Sequence, residues 1–168
     1  ALRPMKVIDP EADLADLFEK LVGERAYKES ATRARTLFER ALRDAGLADA
    51  VERSIEIEAP SIKRTVRAAF GYKNGCFNLI EPVGFTTLDD ESAFAKACTH
   101  AIEGEALVKN GATALGPSRL VVVGQFTDQT NSQIPMVEKI LTDRKVKFFT
   151  FSAIGPLLDD IREHAKQE

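Results

Sequence analysis

The sequence predicts an α/β domain in which a mixed β-sheet carries helices on both faces, and three observations lead to this fold class. Apolar Ile55 and Ile57 alternate with glutamates, as in a half-buried strand. The Asn74-Gly75 dipeptide separates two strand-like segments and favours a tight hairpin, because both residues tolerate positive φ. Later strand-like runs are separated by helical patterns, which is typical of parallel strands joined by helical crossovers.

Two helices are predicted before the first strand. Asp9-Pro10-Glu11 supplies an N-cap, a first-turn proline and a first-turn acid for the first helix, which is expected to end at Gly23. The second helix is expected from about Ser30 to Ala45, because its apolar residues recur at helical spacing. Gly46 is its expected C-cap.

Three consecutive strands are predicted next. The first begins at about Ser54, where the spacing of apolar residues changes from helical to alternating. The second is expected from about Lys63 to Tyr72 and the third from about Cys76 to Phe85. The hairpin dipeptide lies between them, so these two strands are expected to be antiparallel neighbours.

The remaining chain is predicted to alternate between helices and strands. A helix is expected to begin at Asp89 or Asp90 and to end at the Asn110-Gly111 break, with a buried face formed by Ala93, Phe94, Ala97, Cys98, Ala101 and Ile102. The elements expected after it are a central strand from Arg119 to Phe126, a helix after Thr130-Asn131-Ser132, a strand from Val146 to Phe151 and a helix from Ile154 to His164.

Length and composition favour one folded domain with the order ααβββαβαβα. The chain has 168 residues, of which 44% are apolar and 29% are charged, an ordinary globular composition. No repeat or linker divides it, so residues 1–168 are expected to form one domain, with residues 1–28 as a helical extension. The sequence starts without Met, which suggests that an N-terminal portion is missing.

Charge, cysteines and hydropathy narrow the classes of function. The formal charge of -3 gives no general attraction to nucleic acid, so such binding would depend on a local patch. Cys76 and Cys98 belong to no CxxC or Cys/His cluster, so neither a disulfide framework nor a zinc site is predicted. Apolar runs are far shorter than the roughly 20 residues of a transmembrane helix, so no membrane contact is expected. A reducing cytoplasm is the simplest location.

Few other residues suggest chemistry. His100 and His164 fall on different predicted helices and are interpreted as surface residues, while Cys98 is interpreted as a buried structural thiol and Cys76 as a more exposed one. Residues 124–128 follow a strand and precede a helix, which is where open α/β sheets bind ligands. They contain neither GxGxxG nor GxxxxGK, so no cofactor is implied.

The order of elements resembles that of the restriction-endonuclease-like nuclease superfamily, whose common core is a helix, three strands, a helix and a strand. Here the core would extend from about Ser30 to Phe126, within residues 29–168, and the C-terminal βα elements would be additions. The local feature is the hairpin followed by Phe77-Asn78-Leu79-Ile80-Glu81-Pro82-Val83. In that family, an acid on the second strand and an acid-x-lysine on the third hold a divalent metal and position water.

The resemblance makes Glu81 the third-strand acid, and hairpin geometry tests whether the rest of the site is present. A two-residue turn would pair Lys73 with Cys76, Phe70 with Leu79 and Ala68 with Glu81. Alternation would then place one set of side chains on a single face: Val66, Ala68, Phe70, Leu79, Glu81 and Val83. The lysine position is Val83 and the facing second-strand positions are apolar, so a single carboxylate remains where a divalent cation requires several oxygen ligands.

Basic residues form the second candidate feature. They are Lys63, Arg64, Arg67 and Lys73 on the second strand and Arg33, Arg35, Arg40 and Arg43 on the second helix. Such residues hold DNA by its phosphates in folds of this kind. The alternative is a solvated face balanced by Glu29, Glu39 and Asp44.

Three functional hypotheses follow. The resemblance implies a catalytically degenerate nuclease-like domain that binds DNA or a protein partner, in a phage, mobile-element or defence context. The second hypothesis is an active Mg²⁺-dependent nuclease that uses Glu39 and Glu81 with a displaced lysine such as Lys63 or Lys73. The third is a protein-interaction or oligomerisation module, including a homodimer, that uses an exposed strand or helix face.

Overall fold

The computed structural model describes residues 31–86, 89–109, 115–128 and 131–165. The helix predicted after Asp9-Pro10, and with it the extension over residues 1–28, lies outside this part of the chain. From the second predicted helix onward, the observed order of elements is the predicted one.

Four helices and five strands make up the described chain. They are helical residues 31–44 (α1), Glu52–Ala59 (β1), Arg64–Lys73 (β2), Phe77–Gly84 (β3), Asp90–Lys109 (α2), Ser118–Gln125 (β4), Gln133–Asp143 (α3), Lys147–Thr150 (β5) and Gly155–Ala165 (α4). Short 3-10 helices at Pro60–Ile62 and Phe151–Ala153 follow β1 and β5. None of the described helices is both long enough and apolar enough to cross a lipid bilayer.

The strands form one mixed sheet in the order β1-β2-β3-β4-β5. β1, β2 and β3 are antiparallel neighbours, whereas β3, β4 and β5 run parallel to one another. The parallel pairs are the ones joined through α2 and α3, as helical crossovers require. The prediction of a mixed α/β sheet is therefore confirmed.

Helices cover both faces of this sheet, because side chains along β4 alternate between two cores. Leu120 and Val122 belong to one core with α2 and α3, while Val121 and Val123 belong to the other with α1 and α4. The second core is closed by large side chains from its two helices, namely Phe38, Leu42, Leu157 and Ile161.

The end of α1 confirms the predicted glycine cap. Gly46 has a φ of 69°, and its N–H donates to the carbonyl of Arg43 at 3.0 Å. The N–H of Leu47 donates to the carbonyl of Leu42 at 2.8 Å, which completes a Schellman motif. The left-handed conformation at this position favours glycine.

The predicted hairpin register is wrong by one residue. Lys73 pairs with Phe77 rather than with Cys76, and Phe70 pairs with Ile80 rather than with Leu79. The loop therefore has three residues, because Cys76 is part of the turn. Tertiary contacts explain the longer loop, since the Asn74 amide donates to both carboxylate oxygens of Asp160 on α4, at 3.0 and 2.7 Å.

The predicted grouping of side chains on one face is correct except for Phe70. Val66, Ala68, Leu79 and Val83 share the core under α2, but Phe70 lies in the core under α1. The change of face occurs where β2 passes Ser54 of β1, whose φ of 55° interrupts regular strand geometry.

The predicted buried face of α2 is partly wrong. Phe94 is 51% exposed, Ile102 is 50% exposed and Cys98 is only partly buried. The buried residues of α2 are mostly small, namely Ala93, Ala97, Ala101, Gly104 and Ala106, together with the larger Leu107. A Cβ at Gly104 would lie 2.2 Å from Val146 Cγ2, so α2 leaves no room for a side chain at this position.

Candidate functional site

Glu81 lies where the ladder between β2 and β3 stops. Regular pairing runs from Lys73 with Phe77 to Phe70 with Ile80 and goes no further along the two strands. Beyond that point the N–H of Ala69 donates to Oε2 of Glu81 at 2.7 Å. The Glu81 carboxylate thus accepts a hydrogen bond from a strand N–H that would otherwise donate to a main-chain carbonyl. This hydrogen bond positions the Glu81 side chain, and no second acidic residue is needed for it.

A pocket of about 390 Å³ opens beside this carboxylate, and we call it the Glu81 pocket. Arg35 and Thr32 of α1 form one wall, and Arg67 of β2 forms another. Ser54 also lines the pocket at the point where β1 departs from regular strand geometry. The complete lining is Ala31, Thr32, Arg35, Ser54, Ile55, Glu56, Arg67, Ala68, Ala69 and Glu81.

Burial and several neighbouring side chains shift the pKa of Glu81. Burial raises the pKa of Glu81, and the Ala69 N–H, His100 and Arg35 oppose that rise. Glu103 raises the pKa further. The carboxyl is therefore easier to protonate than an exposed glutamate, because burial disfavours its charged form more than its neighbours favour it.

Lys96 is a half-buried cation that sequence reasoning missed. Its Nζ donates to the carbonyl of Gly84 at 3.0 Å and lies 5.8 Å from the centre of the Phe85 ring. Burial lowers the pKa of Lys96 to about 8, although the charge of Glu81 acts in the opposite direction. The two groups are thus electrostatically coupled.

His100 and Glu103 lie further along α2 and contact each other. His100 Nδ1 lies 3.0 Å from Glu103 Oε2, and the side chains are only 16% and 18% exposed. The prediction that His100 is a surface residue is therefore wrong. Residues 96, 100 and 103 recur at i, i+4 and i+7 beside the small-residue stripe of α2, and this spacing is the signal that could have identified them.

Glu39, the other predicted catalytic acid, is held by two arginines. Its Oε1 lies 3.6 Å from Nε of Arg35 and 3.1 Å from Nη1 of Arg53. Arg35 also acts on Glu81, so a guanidinium interacts with both predicted acids. Within the described ranges, no three His, Cys, Asp or Glu residues are grouped closely enough to hold a metal ion.

The two lysines proposed as displaced catalytic groups lie elsewhere. Lys63 has a φ of 53° after the 3-10 helix at residues 60–62, and it lines a separate pocket with Arg64. Lys73 lines a third pocket with Asp49 and His164. Neither lysine is part of the Glu81 pocket.

The predicted nucleic-acid-binding residues do not form one patch. Arg67 is in the Glu81 pocket and forms an ion pair with Glu56 at 3.1 Å. Arg40 forms an ion pair with Asp44 at 3.8 Å, and Arg43 is exposed on the same helix. Glu39 and Asp44 therefore balance positive charge as the alternative interpretation expects, whereas Glu29 lies outside the described residues. Glu56 of β1 is a further acid that the sequence did not indicate.

The donor set of the Glu81 pocket fits an anion better than a hard cation. Arg35 and Arg67 supply guanidinium groups, and Ser54 supplies a hydroxyl. Glu81 and Glu56 are the carboxylates in the lining, and Glu56 is paired with Arg67. A Mg²⁺ site needs several oxygen ligands with no competing cation, so this lining does not fit the metal.

Comparison with known proteins adds no relative. A scan against protein-family models gives no match, and searches of curated proteins and of solved structures give none either.

Proposed function

We propose that this chain is a nuclease-like domain that binds nucleic acid through the Glu81 pocket and does not cleave it. The observation that carries the proposal is the position of Arg35, which lines the pocket and interacts with both predicted acids. A guanidinium in that place favours a phosphate and opposes a divalent cation. The resemblance to the nuclease superfamily contributes the choice of nucleic acid, and it is an analogy of fold.

Local charge supports binding at this pocket despite the net charge of the chain. Arg67 is exposed beside it, and Arg64 and Lys63 line the cleft that follows along the same strand. Among the described residues, Arg64 and Lys63 form no ion pair, so their charges remain available to phosphates. A phosphate backbone that follows β2 would meet these residues in turn.

The test is duplex binding as a function of salt, measured by fluorescence anisotropy with a short labelled DNA. Arg35→Ala and Arg67→Ala should each weaken binding and reduce the salt slope by about 0.9 for each phosphate that the variant no longer neutralises. The matched control is Arg162→Ala, because Arg162 is also a helix arginine with a local acid partner, Asp159 at 2.5 Å, but lies outside the pocket. An equal weakening in all three variants, or unchanged binding in the first two, would contradict the proposal.

A second candidate is an active nuclease, and Lys96 is the observation that favours it. This lysine has the lowered pKa and the coupling to Glu81 that a displaced catalytic lysine would need. It would replace Lys63 and Lys73 in the nuclease hypothesis. Its location in the fold, on α2 rather than on a strand, departs from the pattern of the family.

Cleavage of supercoiled plasmid in Mg²⁺ or Mn²⁺ separates the two candidates. The binding proposal expects no cleavage above that of a Glu81→Gln preparation. The nuclease candidate expects cleavage that Glu81→Gln and Lys96→Met both abolish. Lys139→Met is the control for the second variant, since Lys139 is an exposed helix lysine paired with Asp143 at 3.2 Å.

A further inference from the structure

A second pocket lies at the carboxyl ends of the parallel strands β4 and β5, and we call it the β4–β5 pocket. Its volume is about 230 Å³, and its lining includes Gln125, Phe126, Thr127, Asp128, Phe151 and Ser152. Ligands of open α/β sheets bind outside the carboxyl ends of such strands. The proposed function does not use this region.

Gln125 provides a second, independent observation that points to a ligand. Gln125 is 7% exposed. Its main-chain carbonyl accepts a hydrogen bond from the Phe85 N–H at 2.8 Å and is therefore satisfied. Its side-chain Oε1 is buried and has no hydrogen-bond partner among the described residues. A buried acceptor without a donor is costly, and a ligand N–H is one way to satisfy it.

The other polar groups of the pocket have capacity to spare. Thr127 Oγ1 donates to the carbonyl of Thr86 at 3.2 Å and keeps its own lone pairs. The hydroxyls of Thr150 and Ser152 are 2.9 Å apart, so one of them donates and the other keeps its proton for a ligand.

We propose that the β4–β5 pocket binds a small planar heterocycle whose N–H donates to Oε1 of Gln125, with adenine as the base that suits a glutamine amide best. Glutamine can accept from the N6 amine of adenine and donate to its N7. Phe151 supplies apolar surface for a flat ring, and so does the part of Phe126 that is left beside its stacking contact with Phe85. The pocket is smaller than the roughly 300 Å³ at which ligand pockets usually begin, which limits the ligand to one ring system.

The experiment titrates the chain with adenosine and with purine riboside, which lacks the amine, and follows binding by NMR chemical shifts. Adenosine should bind at least about tenfold more tightly than purine riboside, and Gln125→Leu should remove this difference. Equal affinity for the two nucleosides, or no saturable binding of either up to about 10 mM, would overturn the proposal. If Gln125→Leu does not fold, the comparison of the two nucleosides on the unchanged chain still tests the proposal.

The adenine could belong to a free nucleoside or to an unpaired base in a nucleic-acid strand. Two further measurements distinguish these two sources. Binding of adenosine alone assigns the free molecule. Tighter binding of an oligonucleotide with one unpaired adenine than of adenosine or of a fully paired control, with this excess lost in Gln125→Leu, assigns the strand. Arg35→Ala should leave adenosine binding unchanged, because Arg35 lines the Glu81 pocket and not the β4–β5 pocket. A wrong proposal for the Glu81 pocket and a wrong proposal for the β4–β5 pocket therefore give different experimental results.

Discussion

The hydroxyl of Tyr72 donates to Oδ2 of Asp160 at 2.5 Å, which joins the end of the β2–β3 hairpin to helix α4. Asp160 also accepts two hydrogen bonds from the Asn74 amide. Asn78, which is fully buried, donates to Asn74 Oδ1 at 2.7 Å and accepts from Nε of Arg119 at 2.5 Å. This polar network connects the hairpin, α4 and β4, and it sets the hairpin register.

The hydrogen bond between Tyr72 and Asp160 should contribute measurably to the stability of the fold. Tyr72→Phe should lower the free energy of unfolding by about 1 to 2 kcal/mol, because it removes one hydrogen bond to a charged acceptor. Asp160→Asn should cost more, because the NH2 group that replaces one carboxylate oxygen cannot accept a hydrogen bond from Tyr72 or Asn74. Urea unfolding of the two variants measures the difference, and a Tyr72→Phe variant as costly as Asp160→Asn would contradict the argument.

Low pH should weaken the same network. Burial acts to raise the pKa of Asp160, but hydrogen bonds from Tyr72 and Asn74 prevail and the pKa lies below its ordinary value. A carboxyl whose pKa is lower in the folded state stabilises above its unfolded pKa of about 3.9, and that stability is lost as the pH falls through the folded pKa. Asp160→Asn should therefore lose less stability than the unchanged chain as the pH falls below about 4, as measured by urea titrations across that range.

These contacts also explain what the sequence could predict and what it could not. Local sequence patterns are enough to predict α1, the strands and the cap at Gly46. The spacing of apolar residues and the conformational preference of glycine are both short-range properties. The hairpin register depends on Asp160, which lies 86 residues from Asn74, and no local pattern contains it. The Asn-Gly pair favours a two-residue loop, and the tertiary contact prevails.

The candidate site was predictable only in part, for a related reason. Glu81 is identifiable in the sequence from its position after the hairpin. Lys96 lies on α2, and its proximity to Glu81 can be recognised only once the position of α2 against the sheet is known. The face of α2 was mistaken because hydrophobicity suggested Phe94 and Ile102, while the helix lies close to the sheet by presenting small residues. Side-chain size therefore contributes, along with hydrophobicity, to which side of this helix is buried, and Leu107 is a large residue that is buried there.

The pKa of Glu81 leads to a prediction with the opposite sign. Burial raises this pKa, so the folded state binds a proton more readily than the unfolded state. The contribution of Glu81 to stability is therefore lost as the pH rises from about 4.3, its unfolded value, through the folded pKa. Glu81→Gln should flatten this fall in urea titrations, and an unchanged pH profile would show that the buried carboxyl does not cause it.

Lys96 should affect stability in the alkaline range. Its folded pKa of about 8 lies below the ordinary value of 10.5, so the unfolded state keeps its proton to higher pH. Stability should accordingly rise with pH between these two values, and Lys96→Met should remove the rise. Lys139→Met is the control, because Lys139 is mostly exposed, and the expected result is an alkaline profile like that of the unchanged chain.

The close approach of α2 to the sheet gives a prediction based on packing alone. Gly104→Ala should destabilise by about 1 to 3 kcal/mol, because the new Cβ would overlap Val146 and force the helix or the strand to shift. Helix propensity acts in the other direction, since alanine is favoured over glycine by about 1 kcal/mol inside a helix. The control is Gly155→Ala at the start of α4, where a Cβ meets nothing within 4 Å. Thermal unfolding should show a clear loss of stability for the first variant and none for the second, and a Gly104→Ala protein as stable as the unchanged chain would mean that α2 is free to move outward.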